Sequence, residues 1–164
     1  MARRTSRRIA ATAGAIAAVC AFALAQPAPN EVLERIEFAL GDLRYHIAMP
    51  KGSKLHDLHR PGCIEIRHPH SIRLMKFLEL CSPAGPAAAA YKSRSTLGNG
   101  ARVRYDVDHD IDGGMGGTEG ELKGQLELEG RVFDLTCRDQ SERRTSPDWC
   151  LHYLRSLETQ DRRQ

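Results

Sequence analysis

The sequence predicts an α+β domain in which an antiparallel β-sheet of hairpins and a meander carries a C-terminal helix on one face. Two observations support this fold class. In several segments apolar and polar residues alternate one by one, which is the pattern of strands with one buried and one solvated face. One segment near the C terminus instead repeats its apolar residues at helical spacing, directly after residues that favour a helix start.

Residues 1–25 have the composition of a cleavable export signal. Four arginines lie among the first eight residues, residues 9–25 carry no charge, and Ala23 and Ala25 provide the small side chains that signal peptidase requires. The alternative is an uncleaved anchor, but the apolar segment is short for a membrane span and prolines follow it at once. We therefore predict a periplasmic protein with no stable membrane insertion after cleavage. The choice between Sec and twin-arginine export stays open.

Removal of the signal changes the charge balance of the chain. The whole chain has 24 Lys and Arg against 21 Asp and Glu, and four of the arginines lie in the signal, so the remainder carries 20 − 21 = −1. No basic excess is left to drive binding to nucleic acid or to an anionic membrane. Residues 26–158 have the length of a single domain, and residues 159–164, which lack apolar side chains, predict a disordered tail.

The N-terminal half predicts a hairpin and two further strands. Residues 50–62 are polar and indicate a loop, and residues 63–67 and 72–81 are strand candidates. Residues 82–100 are rich in Pro, Ala, Gly and Ser, so only a short helix over 87–91 is expected there. The hairpin turns at Gly41-Asp42 between two alternating runs, Ile36, Phe38 and Leu40, then Leu43, Tyr45, Ile47 and Met49.

The strongest alternation lies between residues 102 and 137, and it predicts a meander with one dry and one wet face. Turns at residues 113–117 and 129–130 connect its strands. The inward-facing residues are Val103, Tyr105, Val107, Ile111, Leu122, Leu126 and Leu128. The outward-facing residues are Arg102, Arg104, Asp106, Asp108, Asp110, Asp112, Glu121, Lys123, Gln125, Glu127 and Glu129.

The last predicted element is a helix. Ser146 is a candidate N-cap, Pro147 suits the first helical position, and Asp148 favours the positive end of the helix dipole. Its apolar stripe should cover the dry face of the sheet, with Trp149 as the largest buried side chain. The stripe consists of Trp149, Cys150, Tyr153, Leu154 and Leu157.

Four cysteines remain after cleavage, and an even number in an oxidising compartment predicts two disulfides. Three connectivities are open, and free buried thiols are the alternative. We favour Cys63–Cys81 with Cys137–Cys150, because each pair closes a short loop. Bridged cysteines are not available as thiolate nucleophiles, which disfavours a cysteine-based catalytic site.

An acidic run matches the letter pattern of a calcium-binding loop, D-x-D-x-D-G-x5-E. Calcium prefers six to eight oxygen ligands, which alternating carboxylates and a distal glutamate can supply. The flanking segments nevertheless indicate strands rather than the helices of an EF-hand, and three alternate side chains of a regular strand spread over roughly 13 Å. A solvated acidic hairpin is therefore the alternative. The matching residues are Asp108, Asp110, Asp112, Gly113 and Glu119.

No catalytic constellation is recognisable in the sequence. The pairs His56/His59 and His68/His70 could each bring two imidazoles together, but zinc or copper would need a third ligand, so surface loops are expected for these histidines. No nucleophile elbow is present, and the glycine-rich turn lacks the lysine of a phosphate loop.

Three stretches of the second half resemble small periplasmic immunity proteins that protect bacteria from type VI-secreted peptidoglycan hydrolases. They are GGMGG at 113–117, GRVF at 130–133 and PDWCL at 147–151, the last followed by Tyr153 and Leu154. Such proteins are similar in outline to the PsbP-like fold, an antiparallel sheet with helices packed on it. The resemblance implies a protein-binding role and identifies no binding residue.

The first functional hypothesis is a non-enzymatic periplasmic protein-binding module, an immunity protein or inhibitor of a secreted cell-wall hydrolase, that needs no cofactor. A small, exported, disulfide-linked domain without recognisable catalytic groups agrees with it. The alternative is a calcium-binding structural or ligand-binding domain built around residues 108–119. An enzyme with an unrecognised site is the third hypothesis.

The calcium hypothesis predicts a stabilisation that a thermal melt can measure. At about 100 times its dissociation constant, a bound ion adds about 2.7 kcal/mol to the free energy of unfolding. We expect calcium, compared with chelator, to raise the Tm of the native chain but not that of an Asp110→Asn/Glu119→Gln variant. The expected affinity is weaker than about 100 μM, so a Tm that is unchanged at about 10 mM calcium contradicts the site.

Overall fold

The computed structural model describes residues 31–69, 75–85, 91–112, 118–141 and 146–160; the predicted export signal lies outside these residues. The described residues form ten β-strands, one 3-10 turn (Pro147–Trp149) and one α-helix, α1 (Cys150–Leu154). The strands are β1 (Leu33–Leu40), β2 (Leu43–Pro50), β3 (Lys54–His56), β4 (Cys63–Arg67), β5 (Lys76–Cys81), β6 (Ser93–Thr96), β7 (Arg102–Asp112), β8 (Thr118–Leu128), β9 (Arg131–Ser141) and β10 (Glu158–Thr159).

The strands form two antiparallel sheets, and the predicted α+β class is confirmed. The small sheet has the order β1-β2-β10, and the large sheet has the order β3-β4-β5-β9-β8-β7-β6. The expectation of a single sheet was wrong, because the N-terminal hairpin does not join the meander. Both the hairpin and the meander have an apolar face, and stacking the two faces removes both from water.

The predicted N-terminal hairpin is confirmed. β1 and β2 pair along their whole length, and the pair of Leu40 with Leu43 closes the turn. Gly41 at the turn has φ +67°, a left-handed conformation that costs glycine little. The residues of β2 that were predicted to face inward, Tyr45, Ile47 and Met49, are buried.

One hydrophobic core lies between the two sheets. Because side chains alternate along a strand, the large sheet turns one apolar face toward the core and one polar face outward. The ring of Tyr45 in the small sheet meets the ring of Phe133 in the large sheet edge-on, with 5.6 Å between the ring centres. Fully buried residues of the large sheet are Ile66, Leu78, Leu122, Leu126 and Leu135.

The C-terminal helix begins differently from the prediction. The Ser146 side chain does not cap the helix; its hydroxyl donates to the carboxylate of Asp148 over 2.7 Å. A 3-10 turn follows instead, closed by the Trp149 N–H and the Ser146 carbonyl at 3.0 Å. The predicted burial of Trp149, Cys150, Tyr153, Leu154 and Leu157 is confirmed. The helix is shorter than predicted, since Trp149 lies in the 3-10 turn and Leu157 follows the end of α1.

The four cysteines lie at disulfide distance in the two pairs that loop length favoured. Cys63 and Cys81 join the neighbouring strands β4 and β5 on the outer face of the large sheet. Cys137 and Cys150 are buried and join β9 to α1, so this bridge holds the helix against the inner face. Each closes a short loop, and in the chain-entropy model each contributes about 3 kcal/mol to stability.

The C-terminal boundary lies beyond the point where a disordered tail was expected. Thr159 pairs with Tyr45 in β10, and the Gln160 N–H donates to the Arg44 carbonyl over 2.8 Å. These are backbone hydrogen bonds, which the polar side chains of this segment do not reveal. Residues 161–164 lie outside the described residues.

The strands β3, β6 and β7 differ from the sequence pattern. Strands β3 and β6 lie where loops were expected, and the predicted helix over 87–91 falls, apart from Tyr91, outside the described residues. In β7 a bulge lies between Asp108 and Ile111, so that Ile111 pairs with Glu119. A bulge adds one residue to one strand, and the regular alternation predicted for this strand therefore ends at Asp108.

The environment of Trp149 predicts a large loss of stability when its ring is removed. The ring is 5 % exposed, its Nε1–H donates to the Arg138 carbonyl over 3.2 Å, and it meets the rings of His68 and Tyr153 edge-on. We expect Trp149→Ala to lower the free energy of unfolding by roughly 3 to 5 kcal/mol in urea titrations.

The control for this variant is Met75→Ala, because Met75 is 47 % exposed and should tolerate truncation with a loss below about 1 kcal/mol. Equal losses in the two variants would contradict the packing role of Trp149. So would a red-shifted, readily quenched tryptophan emission in the native protein.

Candidate functional site

A groove of about 360 Å³ lies on the polar outer face of the large sheet, across β6, β7, β8 and the start of β9. Its volume is within the range of small ligand sites, but it is a surface groove crossed by charged side chains. We call it the arginine groove. It is lined by Arg94, Ser95, Thr96, Arg102, Val103, Arg104, Gln125, Glu127 and Val132.

Strand register places three arginines together in the groove. Arg94 on β6 is the direct partner of Arg104 on β7, and Arg102 lies two residues from Arg104 on the same side of β7. Directly opposed residues on neighbouring strands have Cβ atoms about 5 Å apart, so two like charges face each other at the Arg94–Arg104 pair. Such a pair weakens the sheet unless something else neutralises it.

The three guanidinium groups differ in their partners. Arg102 forms an ion pair with Glu127 of β8. Arg104 donates to the amide oxygen of Gln125 over 3.3 Å, which neutralises no charge. Among the described residues, no carboxylate lies within ion-pair distance of Arg94 or Arg104. The side chains that line the groove therefore carry three positive charges and one negative charge, an excess of two.

The floor of the groove is a fixed hydrogen-bond network. Gln125 is 3 % exposed, and its amide nitrogen donates to the Gly85 carbonyl and to the Asp134 carboxylate over 3.1 and 3.2 Å. Asp134 also accepts the Gly85 N–H over 2.7 Å. Because its amino group is engaged in this way, Gln125 presents its oxygen to Arg104 and positions that guanidinium.

The wet face predicted for the meander was therefore partly wrong. Gln125 and Glu121 were expected to face solvent, and they do lie on the outer face, but both are buried. β8 is an interior strand, and long polar side chains of neighbouring strands cover its outer face. Arg104 covers Gln125, and Arg138 of β9 covers Glu121.

A second cluster on the outer face surrounds Arg138. Its guanidinium contacts Glu119 and Glu121 of β8, each at 2.9 Å, and Lys123 reaches Glu121 at 2.5 Å. The Glu119 contact is an ion pair without hydrogen-bond geometry, whereas Glu121 accepts a hydrogen bond. Burial alone would raise the pKa of Glu121, but hydrogen bonds and charges from Lys123 and Arg138 outweigh burial and lower it.

The residues of the predicted calcium loop are only partly described. Asp108 is exposed and lies opposite Glu121, and Glu119 is buried in its ion pair with Arg138. The side chains of Asp110 and Asp112 and the whole of residues 113–117 fall outside the described part of the chain. Within the described part, no group of three metal-ligating side chains comes together. The calcium site stays a prediction, and an ion there would compete with Arg138 for Glu119.

The histidines occupy different environments. His59 is exposed, as expected of a surface loop, and has φ +51°. His68 was expected on the surface but is 5 % exposed, with its ring edge-on to Trp149 and its Nε2 3.8 Å from Glu31. His70 lies outside the described residues. Glu31 also accepts a 2.6 Å hydrogen bond from the Tyr153 hydroxyl, so this cluster fixes the start of the domain against α1.

The sequence pattern placed Arg102 and Arg104 on the outer face but indicated no role for them. Arg94 was missed altogether, because it lay in a segment expected to be a loop. A signal was present in the arginines at 94, 102 and 104, yet only strand register brings the first beside the others.

The one α-helix in the described part of the chain has five residues, and no described helix has the length and the apolar composition of a membrane span.

The described residues form a small two-sheet domain with two cysteine pairs at disulfide distance and a positively charged groove. Residues 46–158 match the model of the type six secretion immunity 3 domain. Because this match covers more than half of the chain, the protein belongs to the type six secretion immunity 3 family. Resemblance to immunity proteins of this secretion system, suggested by the sequence, is confirmed.

A solved structure from Bacteroides thetaiotaomicron VPI-5482 has a similar fold. It superimposes with a TM-score of 0.52 at 12 % sequence identity, over 77 % of this chain. At this identity the likeness concerns the fold alone, and the match spans 48 % of that protein, about half of its length. No curated protein matches the chain.

The Arg138 cluster predicts a pH-dependent contribution to stability. Because the pKa of Glu121 is lowered in the folded protein, its contribution is present above the ordinary pKa of a carboxyl group. It is lost as the pH falls through the folded-state pKa, where the carboxylate becomes protonated. We expect Arg138→Met to lower the free energy of unfolding by roughly 2 to 4 kcal/mol at pH 7, and we expect this loss to decrease as the pH is lowered to about pH 3.

Lys123→Met is the matched control, because its side chain is 66 % exposed and its ion pair is screened by water. Urea titrations of both variants at the two pH values make the comparison. A loss in Arg138→Met that is independent of pH would contradict the electrostatic role, as would an equal loss in Lys123→Met.

Proposed function

We propose that the protein is a periplasmic immunity protein that binds and inactivates a cell-wall hydrolase delivered by type VI secretion. Membership of the immunity family carries this proposal, since an immunity domain implies binding of a toxin protein. The periplasm is the compartment in which a hydrolase of peptidoglycan reaches its substrate. The predicted export signal and the two cysteine pairs at disulfide distance support the same compartment.

A small domain can inhibit an enzyme by occupying its surface, without chemistry of its own. Such binding is tighter when the free protein already has the bound conformation, because less conformational entropy is lost. The two cysteine pairs at disulfide distance and the seven-stranded sheet support such a preorganised conformation. We propose stoichiometric binding, in which one immunity protein blocks one toxin molecule.

The test is protection of a Gram-negative host against a candidate type VI hydrolase, chosen from the genes that neighbour this one. The hydrolase is exported to the periplasm and cell lysis is followed by turbidity. We expect the full chain to prevent lysis. We expect a version that lacks residues 2–25 to give no protection, because this version is not exported and remains in the reducing cytoplasm.

Binding of the two purified proteins is measured in parallel by calorimetry. Lysis in the presence of the full chain, together with no measurable binding, would contradict the immunity function. Equal protection by the version without residues 2–25 would contradict the periplasmic location alone.

A further inference from the structure

We propose that the arginine groove is the toxin-binding surface and that it receives an acidic segment of the toxin. This inference rests on the proposed function and adds to it a surface on this chain and a chemistry on the partner. It depends on the charges of the groove, on the way its floor holds them, and on their spacing.

Two of the three positive charges of the groove lack a carboxylate partner within the described part of the chain. Most arginines there pair with a carboxylate: Arg35, Arg60, Arg67, Arg102, Arg131 and Arg138. Arg94 and Arg104 do not, although each faces the other across neighbouring strands. An approaching carboxylate would relieve this repulsion and form a charge-assisted hydrogen bond, which is about twice as strong as a neutral one.

The floor of the groove holds one of these charges in place before binding. Gln125 is buried, and its amide nitrogen is engaged by Gly85 and Asp134, so its oxygen is available to hold Arg104 at 3.3 Å. A guanidinium that is already positioned loses less rotamer freedom when it binds. The same network holds the Asp134 carboxylate against Gly85 and Gln125, and Asp134 forms no ion pair with a described arginine.

The spacing of the charges fits an extended acidic segment. Alternate residues of an extended chain lie roughly 7 Å apart on one side, which is also the separation of Arg102 and Arg104 along β7. Arg94 extends the positive charge sideways by one strand spacing, about 5 Å. A segment with two acidic residues in alternate positions can thus contact Arg104 and reach either neighbour. Glu127 already neutralises Arg102, and it limits the charge available at that end.

The charge of the whole chain favours a protein partner for the arginine groove over a polyanion. Without its predicted signal the chain has a net charge of −1, so long-range attraction to nucleic acid or to an anionic bilayer is absent. A local pair of positive charges inside a neutral surface selects a short acidic segment instead. Binding to anionic vesicles is therefore measured in the test as the alternative outcome.

The test compares two double variants that remove the same charge. The groove variant, Arg94→Gln/Arg104→Gln, removes the two unpaired positive charges of the groove. The control variant, Arg44→Gln/Arg155→Gln, removes two exposed arginines elsewhere that also lack a carboxylate partner among the described residues. Binding to a purified, catalytically inactive form of the candidate hydrolase is measured by calorimetry over a salt series. We expect the groove variant to weaken binding at least tenfold with a shallower salt dependence, and the control to change it less than threefold.

A third variant tests the direction of the effect. Glu127→Gln frees Arg102 from its ion pair, and we expect it to strengthen binding severalfold, a result that mere damage to the fold would not produce. The Tm of each variant is measured as a check on folding, and the groove variant should retain it because a like-charge pair is removed.

The outcomes separate the two proposals. Equal binding by the groove variant and the control would overturn the groove while leaving the immunity function intact. Absence of binding by the native chain would overturn both. Binding of the native chain to phosphatidylglycerol vesicles as tightly as to the hydrolase, lost in the groove variant, would replace the acidic protein segment by a lipid surface.

Discussion

The pairing of β8 with β9 over eleven residues is the constraint on which the rest of the structure depends. Both strands lie inside the large sheet, so both of their side-chain faces need partners. The inner face presents Leu122, Leu126 and Leu135, which a five-residue helix alone could not cover, and the small sheet provides the remaining cover. The outer face is too crowded for water to solvate each polar group, so Glu121 and Gln125 are satisfied by neighbouring strands.

Much of this fold followed from residue periodicity and from the cysteines. The hairpin at Gly41, the meander and the apolar stripe around Trp149 are local patterns, and local patterns are what a sequence displays directly. The assignment of hairpin and meander to separate sheets was not predictable in this way. A two-residue alternation shows which side chains share one face of a strand. It does not show which other surface of the protein covers that face. The burial of His68 and the pairing of Thr159 likewise depend on partners distant in sequence.

Less of the candidate site than of the fold could be predicted from the sequence. Alternation assigned Arg102 and Arg104 to the outer face, but the importance of these residues depends on Arg94, which reaches them only through the register of β6. The role of Gln125 depends in turn on Gly85, forty residues away. A site of this type is made of residues that are individually ordinary surface residues. What distinguishes the site is the positive charge that remains after all local ion pairs have formed. This remaining charge can be found only when the positions of all neighbouring side chains are known.

The two cysteine pairs also determine how the chain responds to proteolytic cutting. Cys63 and Cys81 enclose one connection between strands, and Cys137 and Cys150 enclose the connection from β9 to α1. A protease that cleaves the chain within either enclosed segment leaves two fragments that are still covalently joined. The fragments stay at high effective concentration and can keep their sheet and helix packed. Cleavage between Cys81 and Cys137 would instead leave two pieces with no covalent link, so the resistance of the molecule to proteolysis depends on the unbridged segment between these two cysteines.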